Sequence, residues 1–296
     1  MTPSNPLRDE SGSTHLDSTA QLMDRITSQL GSQLRRVSPD GGRRPDPSAP
    51  LVLVAHGSRD PRALATVEDL AERVRELRPG LTVGIGHIEL TEPLLTDTLT
   101  GLRPGPAVLV PLLLGRGQHV KRDLPAAAAR APHLDCRAAA PLGPHPLLVD
   151  ALHARLTEAG WPARPGAAAR RHLGVVLAAA GSRDPESALD TDTAAGLLAE
   201  RLGVPVVPAY AAPTAACARS VPGALRALAA EGRHRAAVAA YFTAPGRFAA
   251  QTAGAAPWIA AAPLGAHPAL ARLVLHRYDH ARTARPVAEG RRLSRV

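Results

Sequence analysis

Apolar positions along this chain come in two kinds, short unbroken runs and longer stretches spaced at helical period. Leu51-Val52-Leu53-Val54-Ala55 is a run of the first kind. It leads into a stretch where Leu64, Val67, Leu70, Val74 and Leu77 share one helical face and Glu68, Glu72, Arg73 and Arg75 lie off it. The pattern predicts a strand over 51–55, then a helix with Asp60 as N-cap and Pro61 at its first position, where the missing N–H costs nothing. The alternation continues with a second strand over 81–90, a short helix after Glu92-Pro93, and a third strand over 107–114. A helix follows the glycine-rich stretch Gly115-Arg116-Gly117-Gln118-His119, then a fourth strand over 135–142 and a helix over 146–158. A third strand that is apolar throughout is expected of a parallel strand covered on both faces. Strands alternating with helices at this spacing predict a parallel, doubly wound α/β sheet.

The pattern then repeats. His56-Gly57-Ser58-Arg59-Asp60-Pro61 returns as Ala180-Gly181-Ser182-Arg183-Asp184-Pro185, again after an apolar run, Val175-Val176-Leu177-Ala178-Ala179. Pro141-Leu142-Gly143-Pro144-His145-Pro146 returns as Pro263-Leu264-Gly265-Ala266-His267-Pro268. Two matched signatures in the same order mark a duplicated α/β unit. The expected division is a disordered leader over 1–49 with a transient helix near 20–34, a first lobe over 50–160 and a connector over 161–171. A second lobe over 172–281 and a basic, disordered tail over 282–296 complete it. A chain of 296 residues is long enough for two such lobes to bury cores.

Composition narrows the function. The formal net charge of +9 would raise nucleic acid as a partner, but five arginines after His280 supply much of the excess and aromatic residues for base stacking are scarce. Nucleic acid is therefore not expected. No apolar stretch reaches eighteen residues and the N-terminus lacks the pattern of a secretory signal, so no membrane partner and a cytoplasmic location are expected. Cys136 and Cys217, without CxxC or CxxH spacing, suggest two inert thiols.

In open parallel sheets ligands bind beyond the carboxyl ends of the strands. His56 comes after the first predicted strand, Glu89 at the end of the second and His119 just after the third, and two imidazoles with a carboxylate make an incomplete ligand set for iron, cobalt, nickel or zinc. Singly, a strand-end histidine is more often a hydrogen-bonded structural residue than a ligand, and Glu89 alone could be a solvated loop carboxylate or a partner for an arginine. Comparison within the chain shifts the balance, because aligning the repeats sets Ala180 against His56, Ala209 against Glu89 and Phe248 against His119. All three groups are lost together while Gly, Ser, Arg, Asp and Pro around the first loop are kept, as expected of one site on a structural frame. His87, two residues before Glu89, is either a supporting partner, a further ligand or structural. Gly57-Ser58 and Gly115 to Gly117 could also form anion-binding nests, although neither has P-loop or GxGxxG spacing, and Ser58 beside His56 lacks the GxSxG elbow of a hydrolase.

At these residues the chain resembles the sirohydrochlorin chelatases of the CbiX/SirB type, class II chelatases related to the ferrochelatases. The resemblance rests on His56-Gly57-Ser58-Arg59-Asp60, on Glu89-Leu90-Thr91-Glu92-Pro93 and on the glycine loop ending in His119, and it covers roughly 50–281 as a tandem member. It implies two flavodoxin-like, chelatase-like lobes enclosing a cleft, and insertion of ferrous iron or cobalt(II) into sirohydrochlorin for siroheme or cobalamin, with no cofactor beyond the metal substrate. By position His56 and His119 resemble the family's metal-binding histidines and Glu89 its assisting carboxylate. Ser58, Arg59, Arg116 and Gly117 are expected to meet the acidic macrocycle, with Lys121 and Arg122 nearby and Tyr210, Tyr241 and Phe242 on the opposite wall. Arg116 stands where relatives commonly have proline, which changes the loop without moving His119. A non-catalytic carrier of metal or tetrapyrrole and a regulatory relative are the alternatives.

Overall fold

The computed structural model describes residues 48–283, so the expected leader helix near 20–34 and nearly all of the basic tail lie outside the described residues. The first half runs β1 (Leu51–Ala55), α1 (Pro61–Leu77), β2 (Val83–His87), α2 (Leu95–Thr100) and β3 (Gly105–Pro111). A π-helical turn (His119–Asp123) then enters α3 (Leu124–Ala129), followed by β4 (Leu134–Ala138) and α4 (Pro146–Glu158). After a short α5 (Ala167–Arg170) come β5 (Leu173–Ala179), α6 (Pro185–Leu202), β6 (Val206–Tyr210) and α7 (Val221–Ala230). The described residues end in β7 (Arg235–Ala240), α8 (Arg247–Ala253), β8 (Ile259–Ala260) and α9 (Pro268–Thr283). Each half builds a four-stranded parallel sheet, ordered β2-β1-β3-β4 and β6-β5-β7-β8. Two parallel sheets, each flanked by helices, are the expected fold class.

Alternation along the central strands explains how each sheet is covered. Leu51, Leu53 and Ala55 of β1 join Val175, Leu177 and Ala179 of β5 in one large apolar cluster, while Val52 and Val54 face a smaller cluster with Leu95, Leu99 and Leu124. Val176 and Ala178 turn the same way in the second half, toward Val221, Ala224 and Leu228. The large cluster also takes in α1, α4, α6 and α9, so a shared helical layer joins the two sheets.

Within that layer the final helix of each half packs across. α9 lies against α1, β3 and β4 of the first half, and α4 lies against α6 and β7 of the second. Arg78 forks onto Asp279 at 2.6 and 2.7 Å, and the Tyr278 hydroxyl donates to the Ala49 carbonyl at 2.7 Å. The strands thus divide between two sheets while the helices do not, because the last helix of each half packs against the other half. Three smaller expectations change. Ala49, assigned to the leader, is buried under Tyr278; Trp161, assigned to the connector, is buried 5.8 Å from the ring of Trp258. Leu77 is half exposed, and the buried stripe of α1 is Ala63, Val67, Leu70, Ala71 and Val74, because the helix turns its second apolar flank toward α9.

Candidate metal-holding site

The first histidine is set by a glycine turn. Gly57 has φ +101°, and a Cβ there would collide with the Glu89 carbonyl oxygen, so the His56 loop lies directly on the turn that carries Glu89. The His56 carbonyl accepts the Glu89 N–H at 3.0 Å. Leu90 then adopts φ +67° while the Thr91 N–H donates to the Glu89 carbonyl at 2.9 Å, a three-residue turn that is strained for a leucine. The Thr91 hydroxyl holds this turn down, accepting from the Ser58 N–H at 3.1 Å and donating to the Ser58 carbonyl at 3.0 Å. His56 Nδ1 and Glu89 Oε1 come to 3.5 Å, both side chains about half exposed. Thr91 was missed in the sequence because its role depends on the loop opposite.

The kept motif residues shape the entry to the helix, as expected. The Ser58 hydroxyl accepts the Asp60 N–H at 3.1 Å and Asp60 caps α1 by accepting from the Arg62 N–H at 3.0 Å. Ser182 and Asp184 repeat both bonds at 3.1 and 3.0 Å, and Gly181 repeats the positive φ at +104°.

His119 opens the π-helical turn, a departure from regular helix that recurs at functional sites. Its Nδ1 lies 2.6 Å from Asp123 Oδ2, one turn on. A carboxylate on Nδ1 fixes the tautomer that leaves Nε2 with its lone pair free, the arrangement that supports metal-binding histidines. Asp123 was not singled out in the sequence, although its i,i+4 spacing from His119 was a usable signal. The His56 and His119 rings lie 4.6 Å apart. Among the described residues no three His, Cys, Asp or Glu side chains close around one point, so His56 and His119 form an open pair with Glu89 beside His56 only. His87 is buried, with Nδ1 3.2 Å from the Pro93 carbonyl and Nε2 without a protein partner.

The pair opens on a cavity of about 970 Å³ between the lobes. Ser58 and Gly117 line it beside the histidines, and Tyr210, Tyr241, Phe242 and Phe248 form the wall from the second half. Burial pushes the Tyr210 phenol up to about 12 and raises that of Tyr241 as well. Three expected site residues are outside the lining: Arg59 is in solvent, Arg116 is drawn onto Asp190 of α6, and Glu89 lies behind His56 at 3.5 Å. The basic side chains that do line the cavity are Lys121, Arg122 and Arg183, and Lys121 is paired with Asp184 and Glu186.

Strand register gives the counterparts in the second half. Ala180 replaces His56 and Phe248 replaces His119, as the aligned repeats indicate. Glu89 corresponds to Ala212, not Ala209: the Ala212 N–H donates to the Ala180 carbonyl just as the Glu89 N–H donates to that of His56. Pairing the prolines displaced the alignment by three positions, and Ala209 is a buried β6 residue opposite Ala178. The carboxylate is still absent from the second half.

A family model described as CbiX matches residues 50–159 and again 174–281. The chain belongs to the CbiX family. This CbiX-family chain is 38% identical over 88 residues to the sirohydrochlorin cobaltochelatase of Methanopyrus kandleri, covering 29% of the chain and 62% of that protein. It is 30% identical over 113 residues to the chloroplastic sirohydrochlorin ferrochelatase of Arabidopsis thaliana, covering 36% of the chain and 50% of that protein. The chain thus spans between half and 62% of the length of these curated relatives. Among solved structures it resembles SirB from Bacillus subtilis with Fe3+, at a TM-score of 0.63 and 22% identity, covering 80% of the chain and 96% of SirB. It also resembles CbiX of denitrifying bacteria, at a TM-score of 0.59 and 21% identity, covering 78% of the chain and 99% of that structure. These structural likenesses are likenesses of fold.

Proposed function

We propose that this chain is a lyase-type sirohydrochlorin chelatase, working in the cytoplasm to insert ferrous iron or cobalt(II) into an acidic tetrapyrrole for siroheme or cobalamin. The observation that carries this is the His56 and His119 pair, 4.6 Å apart and open to a two-walled cavity of about 970 Å³. Structural metal sites close their coordination, whereas a metal that must take on substrate atoms needs open positions for the incoming nitrogens. The metal is a substrate here, and an open pair suits one.

Insertion exchanges two pyrrole N–H protons for one divalent ion, so the protein must hold the ion, hold the macrocycle and accept protons. Imidazole Nε2 of His119, oriented by Asp123, and the imidazole of His56 hold the ion after it has lost part of its water. Glu89, beside His56 and half exposed, accepts the departing protons and passes them to water. Tyr210, Tyr241, Phe242 and Phe248 offer the flat wall, and Ser58 and Gly117 meet the macrocycle from the first half. Arg122 and Arg183 line the cavity with no acidic partner among the described residues, so they take the carboxylate-binding role that the sequence suggested for Arg59 and Arg116.

The test is anaerobic insertion followed by absorbance, with iron and cobalt separately, in the native chain and His119→Ala. Acceleration over background that collapses in the variant is expected. Tight tetrapyrrole binding without acceleration would replace the chelatase reading with that of a carrier.

A further inference from the structure

The stretch from Leu114 to Lys121 makes a second set of contacts, away from the histidines. The Arg116 N–H donates to Asp190 Oδ2 at 2.7 Å, and its guanidinium forks onto the same carboxylate, with Nη2 at 2.7 Å and Nε at 3.1 Å. Asp190 is buried in α6, and Gly115 packs against it closely enough that a Cβ would touch it. Lys121 Nζ lies 2.6 Å from Asp184 and 2.5 Å from Glu186, which Arg116 Nη1 also reaches at 3.3 Å. The Tyr241 hydroxyl donates to the Leu114 carbonyl at 3.1 Å. Every one of these partners belongs to the second half, and His119 sits between the two anchored ends.

The two copies of the motif differ just where this matters. Glu186 and Asp190 of α6 occupy the places held by Arg62 and Thr66 in α1. In the first half Arg62 neutralises its own cap residue, Asp60, at 2.7 Å. In the second half an acid at that place leaves the Asp184 carboxylate to Lys121 of the other lobe. A buried carboxylate that takes a fork and a backbone N–H from one residue commits that residue's loop to one position, since separation would strand the charge.

We propose that the second lobe serves as an anchor, Asp184, Glu186 and Asp190 being positioning residues that hold the His119 loop at the distance from His56 that a metal ion requires. This rests on the reading of His56 and His119 as the metal-holding pair. The Gly-Ser-Arg-Asp-Pro motif kept in a lobe without metal-binding side chains then has a task beyond starting its own helix.

The experiment titrates the full chain with cobalt(II) alone, read by absorbance, and in parallel measures amide hydrogen exchange over 115–121. Arg116→Gln is expected to weaken cobalt binding about tenfold. Lys121→Met, which strands no buried charge, is expected to weaken it less, and both should speed exchange over 115–121 while far-UV dichroism stays native. Native cobalt affinity in a folded Lys121→Met and Arg116→Gln, or unchanged exchange in the loop, would overturn the proposal. If Arg116→Gln does not fold, Lys121→Met alone decides. His119→Ala is the control: if it leaves cobalt affinity intact, the metal-site reading itself fails and the anchor with it, a result distinct from native affinity in the anchor variants alone.

Discussion

Asp123 is the residue whose chemistry is most specific, because a 2.6 Å carboxylate contact selects which nitrogen of His119 is free. Asp123→Ala is expected to lower insertion about 10- to 100-fold with the fold retained, and Asp123→Asn to recover part of the loss. Steady-state rates with metal varied at saturating tetrapyrrole would check this. Arg122 and Arg183 make a different prediction, since they are read as partners for carboxylates and not for metal. Arg183→Gln is expected to raise KM for the acidic macrocycle about tenfold and leave the metal KM unchanged, with no added effect on a methyl-esterified macrocycle. These single positions divide according to what sequence carries. His56 and His119 were visible as strand-end groups missing from the second repeat. The placement of Arg116 was not visible, because it depends on a carboxylate 74 residues away in sequence.

Among the elements, α4 and α9 share an unusual start. His145 Nδ1 accepts the Leu147 N–H at 3.2 Å and His267 Nδ1 accepts the Ala269 N–H at 3.1 Å, so each helix is capped by an imidazole that must be neutral to accept. This accounts for the matched Pro-Leu-Gly-x-His-Pro signatures, which the sequence displayed without their purpose. Burial, helped by Arg277 at His145 and by Arg155 at His267, lowers both histidines below the usual imidazole value of 6.5. His153 on α4 is lowered too, first by burial and then by Arg201. As pH falls below about 6.5 the unfolded chain binds these protons first, so stability is full above that value and declines until the folded-state values are passed. Tm is expected to fall between pH 7.5 and pH 5.5 by roughly 2–4 °C for each cap worth about 1 kcal/mol. Substitution of both by asparagine should make that part of the profile shallower, leaving the slope that His153 contributes, as scanning calorimetry would show. The strand and helix positions themselves were largely legible, because β1, α1 and α4 start at the ends of clear apolar patterns and at Asp60-Pro61 and His145-Pro146.

At the level of the whole molecule, the repeat in sequence and the unit of packing are not the same. Nothing in a periodic pattern says which sheet an apolar helix will cover, so the exchange of α4 and α9 was beyond sequence reasoning. It yields a clear expectation: fragments cut at the connector, each deprived of the helix that covers its sheet, should be poorly folded alone and regain native dichroism when mixed. Two independently folded fragments, each cooperative in thermal melts, would contradict the shared core.

The return of α9 to the first half also brings the two ends of the described chain together, since the hydroxyl of Tyr278 touches the carbonyl of Ala49. Residues 162–166, by contrast, form a largely solvent-facing bridge between the halves. A circularly permuted gene, with a short linker joining 283 to 48 and new termini opened within 162–166, would therefore keep every strand register and both exchanged helices. The covalent order of the halves is thus a matter of wiring, and the architecture belongs to the noncovalent embrace of the two helices.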